Sequence, residues 1–156
     1  MLKSGRLFVG AAVAAAAVFG VTHVVSGTSS GTETVFVNTV PSRLLDTRPS
    51  FRTFDGIGEG GGRLDAGETY KLDVAGRAGI PETAVSAKLN FVAVNPAGAG
   101  HLTVYPCDVT RPLASALNYM PGVNNANEIS VPLGVDGDVC VYTWAETDVV
   151  VDVYGY

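Results

Sequence analysis

From residue 33 onward the chain alternates apolar and polar positions with a period of two. The alternation is clearest in Thr34-Val35-Phe36-Val37, Lys88-Leu89-Asn90-Phe91-Val92-Ala93-Val94, Leu102-Thr103-Val104-Tyr105, Glu128-Ile129-Ser130-Val131, Val139-Cys140-Val141-Tyr142 and Val149-Val150-Val151-Asp152-Val153. These runs are short and rich in β-branched residues, and turn residues bound most of them, so they predict strands. No segment holds apolar residues at i, i+3, i+4 and i+7 for three turns, which predicts no amphipathic helix in this region. Turns are expected at Asn95-Pro96-Ala97-Gly98, Met120-Pro121-Gly122 and Asp136-Gly137-Asp138, and Asp136-Gly137 between two apolar runs is the strongest hairpin signal. Strands at this spacing predict one all-β domain, a β-sandwich of jelly-roll-like form, with the glycine-rich stretch 55–62 as its one flexible loop.

The first thirty residues follow a different pattern. Lys3 and Arg6 precede an apolar run over residues 7–25, and Ser26-Gly27-Thr28-Ser29-Ser30 then turns polar. This is the order of a secretory signal. The run also approaches the roughly 20 residues that span a bilayer. The expected organisation is a signal peptide or membrane anchor at 1–27, a short linker at 28–32 and the β-sandwich domain at 33–156, with cleavage favoured over a retained tether. The destination is extracellular, secreted or at the cell surface.

Charge and cysteine content narrow the function. The chain has 156 residues, 10 Lys+Arg against 15 Asp+Glu, and a net charge of -5. Lys3 and Arg6 leave with the export segment, so the remainder is more acidic still. That argues against nucleic acid as a partner, because phosphate recognition requires a basic footprint. The two cysteines, Cys107 and Cys140, both lie in the β region and are expected to form one disulfide in an oxidising compartment. No metal or cofactor is expected: neither cysteine has a ligand at zinc spacing, and the calcium-loop pattern is absent. Gly56-Ile57-Gly58-Glu59-Gly60-Gly61 matches G-x-G-x-x-G, but it opens no helix and is rejected as a nucleotide site.

Five segments together resemble a recurrent β domain of secreted actinobacterial proteins. They are PSRLLDTRP (41–49), AGETYKLDVAGRAGIP (66–81), LNFVAVNPAGAGHLTVYPC (89–107), RPLASALNY (111–119) and VPLGVDGDVCVYTWAETDVVVDVYGY (131–156). In that family the domain stands alone or is appended to exported hydrolases and other surface proteins. The resemblance implies export and an accessory role, and it supplies no catalytic residue.

Candidate chemistry is sparse. His101 is the one histidine after the export segment, and it is expected as a strand-end residue near solvent rather than a member of a catalytic triad. A glycoside hydrolase needs only two carboxylates. Most acidic residues, however, fall at turns (Asp55, Asp65, Asp108, Asp136, Asp138), where the side chain serves its own backbone. In the 43–48 segment an extended chain places Asp46 and Arg48 on one face with Leu44, and Arg43 on the other. Asp46, Arg48 and Asp152 are expected to form an ion-pair cluster clasping the first and last strands, with a ligand-binding pair for carboxylate or sulfate as the alternative.

The candidate ligand-binding residues are Tyr119, Asn118, Asn124, Asn125, Tyr142 and Trp144, whose rings could stack on a sugar while the amides bond its hydroxyls. The competing expectation has Trp144 packed over the disulfide as core. The functional expectation is a non-catalytic accessory module that recognises a cell-wall polysaccharide or an envelope protein. The alternatives are a structural subunit that associates with its own kind through edge strands, and a glycan-active hydrolase.

Overall fold

The computed structural model describes residues 34–156; the expectations for 1–27 and 28–32 lie outside the described residues. Eight strands form: β1 (Asn38–Asp46), β2 (Thr69–Asp73), β3 (Ser86–Val94), β4 (Gly100–Tyr105), β5 (Leu117–Tyr119), β6 (Asn125–Pro132), β7 (Asp138–Thr143) and β8 (Asp148–Gly155). They build two four-stranded sheets in the orders β1-β8-β3-β6 and β2-β7-β4-β5, every pairing antiparallel. This is the jelly-roll order, in which the chain passes back and forth between two sheets.

The core lies between the sheets because each strand turns alternate side chains inward. Leu89, Phe91 and Ala93 of β3 and Val149, Val151 and Val153 of β8 belong to the same buried cluster as Leu72, Leu102, Val139 and Val141 from the second sheet. Burying one such side chain stabilises the fold by about 1.5 to 3 kcal/mol.

The turn at Asp136-Gly137 is not a hairpin. It carries the chain from β6 in the first sheet to β7 in the second, and those strands do not pair. Gly137 adopts φ 77° and accepts hydrogen bonds from Val74 N and Ala75 N at 3.1 and 2.9 Å. A Cβ there would fall 2.4 Å from that of Ala75, so the position requires glycine for both its φ and its close approach. Among the strands, β4 and β5 are the one sequence-adjacent pair that shares a sheet.

The first strand also starts later than its sequence pattern suggests. Thr34-Val35-Phe36-Val37 precedes β1, although Val37 and Tyr156 exchange backbone hydrogen bonds at 2.7 and 3.0 Å. Phe36 and the Val37 carbonyl lie where a Cβ on Gly155 would be, each 2.5 Å away. Gly155 is therefore the point of closest approach between the entering segment and the last strand.

Candidate functional site

Two polar constructions stand out, and they have opposite characters. The first joins β1 to β8. Arg43 is opposite Asp152 and Leu45 is opposite Val151, so Leu44 is an extra residue, a bulge in β1. The bulge corrects the simple alternation: Leu44 and Leu45 are both buried, and Arg43 comes to the same side as Asp46.

Arg43 donates from Nε and Nη2 to the two carboxylate oxygens of Asp152 at 2.8 and 3.1 Å, and from Nη1 to Asp46 at 2.9 Å. Arg48 grips Asp46 with Nε and Nη2 at 2.9 and 2.7 Å, and its backbone N–H adds a third bond. Asp46 is 0% exposed. Burial alone would raise its pKa, but the Arg48 hydrogen bonds and charge outweigh burial and hold it below the ordinary carboxylate value. Arg43 is raised, chiefly by its bond to Asp152. The ligand-pair alternative for this cluster does not fit the geometry, because the forks of both arginines are already engaged by Asp46 and Asp152.

A strap of residues 54–62 covers the outer edge of β1. It is hydrogen-bonded in place rather than free: Asp46 N donates to Gly58 O, Gly60 N to Asp46 O, Gly62 N to Thr47 O and Phe54 N to Arg43 O, each at 2.9 Å. Arg77, 8% exposed, pins the strap from beneath with bonds to both Asp55 carboxylate oxygens and to the carbonyls of Leu44, Ile57 and Asp73. The Arg77 bonds lead the causes that lower Asp55 to about 2. Asp138, expected at a turn, is instead the first residue of β7, buried and paired with Lys71 at 2.7 Å.

The second construction is the outer face of the β2-β7-β4-β5 sheet. Alternation along β7 turns Val139, Val141 and Thr143 inward and leaves Cys140 and Tyr142 outward. Trp144 follows on the same side, its backbone N–H donating to His101 O at 3.0 Å. Trp144 is 59% exposed, so the expectation that it packs over the disulfide as core is wrong. His101 stacks on Trp144 with ring centroids 5.7 Å apart and lies 6.0 Å from the ring of Tyr142. The Arg111 guanidinium lies over the Tyr142 ring, 3.6 Å from its centroid. Asn118 pairs with His101 across β4 and β5, at the margin of this group.

No protein-family model matches the chain, and no curated protein matches it.

The other residues expected to bind ligand have structural tasks. Tyr119 is 4% exposed; its hydroxyl is bonded to Thr143 Oγ1 at 2.7 Å and to the backbone of Ala145, which makes it core. Tyr142 is 5% exposed, sealed beneath Arg111. Asn124 accepts from Asn95 N at 2.8 Å, and Asn125 donates to Asn118 O at 2.7 Å, as Asn127 does to Ala116 O. The amides of Asn125 and Asn127 thus tie β6 to the β5 segment across the sheets; Asn118, Asn124, Asn125 and Trp144 are exposed, with the Asn124 and Asn125 amides engaged by backbone groups.

Sequence reasoning missed His101 and Arg111. His101 gains its role from cross-strand neighbours and Arg111 from the link that lays it over Tyr142, contacts between residues distant in sequence. The Cys107–Cys140 disulfide, with Cα atoms 4.9 Å apart, fastens the start of the link that carries Arg111 to β7 beneath it.

Proposed function

We propose that this domain is an extracellular, non-catalytic binding module that recognises a surface carbohydrate on the outer face of its second sheet. The observation that carries the reading is Trp144: a large ring 59% exposed, stacked with His101, on a face where Tyr142 lies beneath an arginine. An exposed and buttressed indole offers a flat apolar surface to a sugar ring at little conformational cost. The Cys107–Cys140 disulfide supports an oxidising, extracellular setting. The accessory role fits the way the polar groups are used. His101 is stacked, and Asp46, Asp55, Asp138, Asp148 and Asp152 are each held by an arginine or lysine.

The test is affinity electrophoresis of the protein through gels containing bacterial cell-wall and plant polysaccharides. Trp144→Ala is expected to lose at least tenfold in affinity with its thermal transition unchanged. Retardation equal to that of the wild type would refute the platform.

A second reading, a self-associating structural subunit, is favoured by β6. This eight-residue strand is the outer member of its sheet, and residues 125–128 are all exposed. Its free edge could pair with a second copy. Sedimentation equilibrium separates the two: a concentration-independent monomer supports the binding module, and dimers or filaments support the subunit.

A further inference from the structure

The arginines of the described domain divide unevenly. Arg43, Arg48, Arg52, Arg63 and Arg77 each hold a carboxylate. Arg111, among the described residues, is paired with none, although the chain carries 15 acidic side chains and a net charge of -5. It is exposed, in the link between β4 and β5, with its guanidinium 3.6 Å from the Tyr142 ring centroid.

That geometry leaves the chemistry of Arg111 available. Contact with an aromatic ring uses a π face of the guanidinium, whereas the five N–H donors lie in its plane. Stacking also restricts the side chain, so less freedom is lost when an anion binds the fork. Arg111, Tyr142, His101 and Trp144 are in successive contact, which puts a cation and an exposed indole on one continuous surface that a short oligosaccharide can span.

We infer that the ligand of this face is an acidic saccharide, one ring resting on Trp144 and its singly charged oxyanion, a carboxylate or a sulfate ester, held by the fork of Arg111. The inference rests on the carbohydrate reading above and specifies its charge. A neutral sugar would use Trp144 and leave the in-plane donors of Arg111 without an anion.

The experiment measures binding of the full chain at about 0.15 M salt, where long-range attraction is screened beyond roughly 8 Å. The probes are polygalacturonate, its carboxyl-reduced neutral product, dextran sulfate and dextran. The expected result is at least tenfold tighter binding to one or both charged polymers than to the matching neutral one; which of the two is preferred identifies the oxyanion. Arg111→Gln, on an exposed side chain, is expected to remove that preference with an unchanged thermal transition. Lys88→Gln, which alters net charge equally from β3 on the other sheet, is expected to keep it. Trp144→Ala weakens binding to every polymer that the wild type binds.

Equal affinity for charged and neutral partners, or an Arg111→Gln variant that retains the preference, would overturn the acidic-ligand inference and leave the platform standing. A preference lost equally in Lys88→Gln would reduce it to net charge and overturn it as well. Binding to none of the four polymers would remove both the inference and the carbohydrate reading.

Discussion

Asp46 concentrates the consequences of one inserted residue. With Leu44 bulged, two guanidiniums converge on a carboxylate that has no exposed surface. A buried charge stripped of its partners is costly, and partners stripped of their charge are costly too. Asp46→Ala is expected to destabilise the fold by about 3 to 5 kcal/mol, measured as a lower denaturant midpoint at constant slope. Arg52→Ala, which removes a pair whose arginine is largely exposed, is expected to change stability by less than about 1 kcal/mol.

The same residues set the response to acid. Asp46 and Asp55 have folded pKa values below their ordinary range, Asp55 at about 2. A carboxylate depressed on folding contributes fully above its unfolded pKa of roughly 4 and loses that contribution as the pH falls through the folded value. Stability is therefore expected to decline from about pH 4 toward pH 2, measured by urea unfolding at stepped pH. In Arg77→Gln the part of the decline due to Asp55 should shrink, because its chief stabilising donor is gone.

At the scale of elements, most of the fold could be read from alternation. β3, β4, β6, β7 and β8 each carry enough apolar residues on one face to declare themselves. β2 (TYKLD) and β5 (LNY) do not: both are short outer strands, whose few inward side chains make a weak pattern. β1 was obscured by its bulge, which shifts the period partway along. Asp136-Gly137 resembles a hairpin turn in sequence because the local chemistry of a turn does not specify which sheet the next strand joins. The edges follow from the same economy. The strap covers β1, Lys71 stands on β2, and β5 is only three residues long, whereas β6 is long and open.

The disulfide acts on an element as well. It closes a sequence separation of 33 and anchors the link bearing Arg111. Reduction is expected to cost about 3 to 4 kcal/mol in the chain-entropy account, read as the difference between denaturation midpoints with and without reductant. If the link loosens as well, the acidic-polymer preference should fall before the domain unfolds.

For the whole molecule, the two sheets divide the work. The first carries the clasp, with the entering segment lying against its last strand at Gly155; the second buries most of its outer face and leaves Trp144 exposed at one end. The aromatic character of the candidate site was evident in the sequence, but its composition was not. Tyr119 was spent on core packing and the Asn124-Asn125 amides on backbone hydrogen bonds, and His101 and Arg111 joined Trp144 through neighbours distant in sequence. A pattern of two tells which residues share a face of a strand. It does not tell which face is covered by the link between β4 and β5, and that cover is what buries Tyr142 and spares Trp144.

Trp144 is the one tryptophan in the chain, so its fluorescence reports the proposed surface without labelling. The most direct test is acrylamide quenching of the native protein before and after saturation with a polysaccharide that retards it. The account predicts ready quenching of the free protein, as befits an exposed indole, and strong protection with a blue shift in the complex. Saturable binding that leaves both the emission and the quenching of Trp144 unchanged would contradict it.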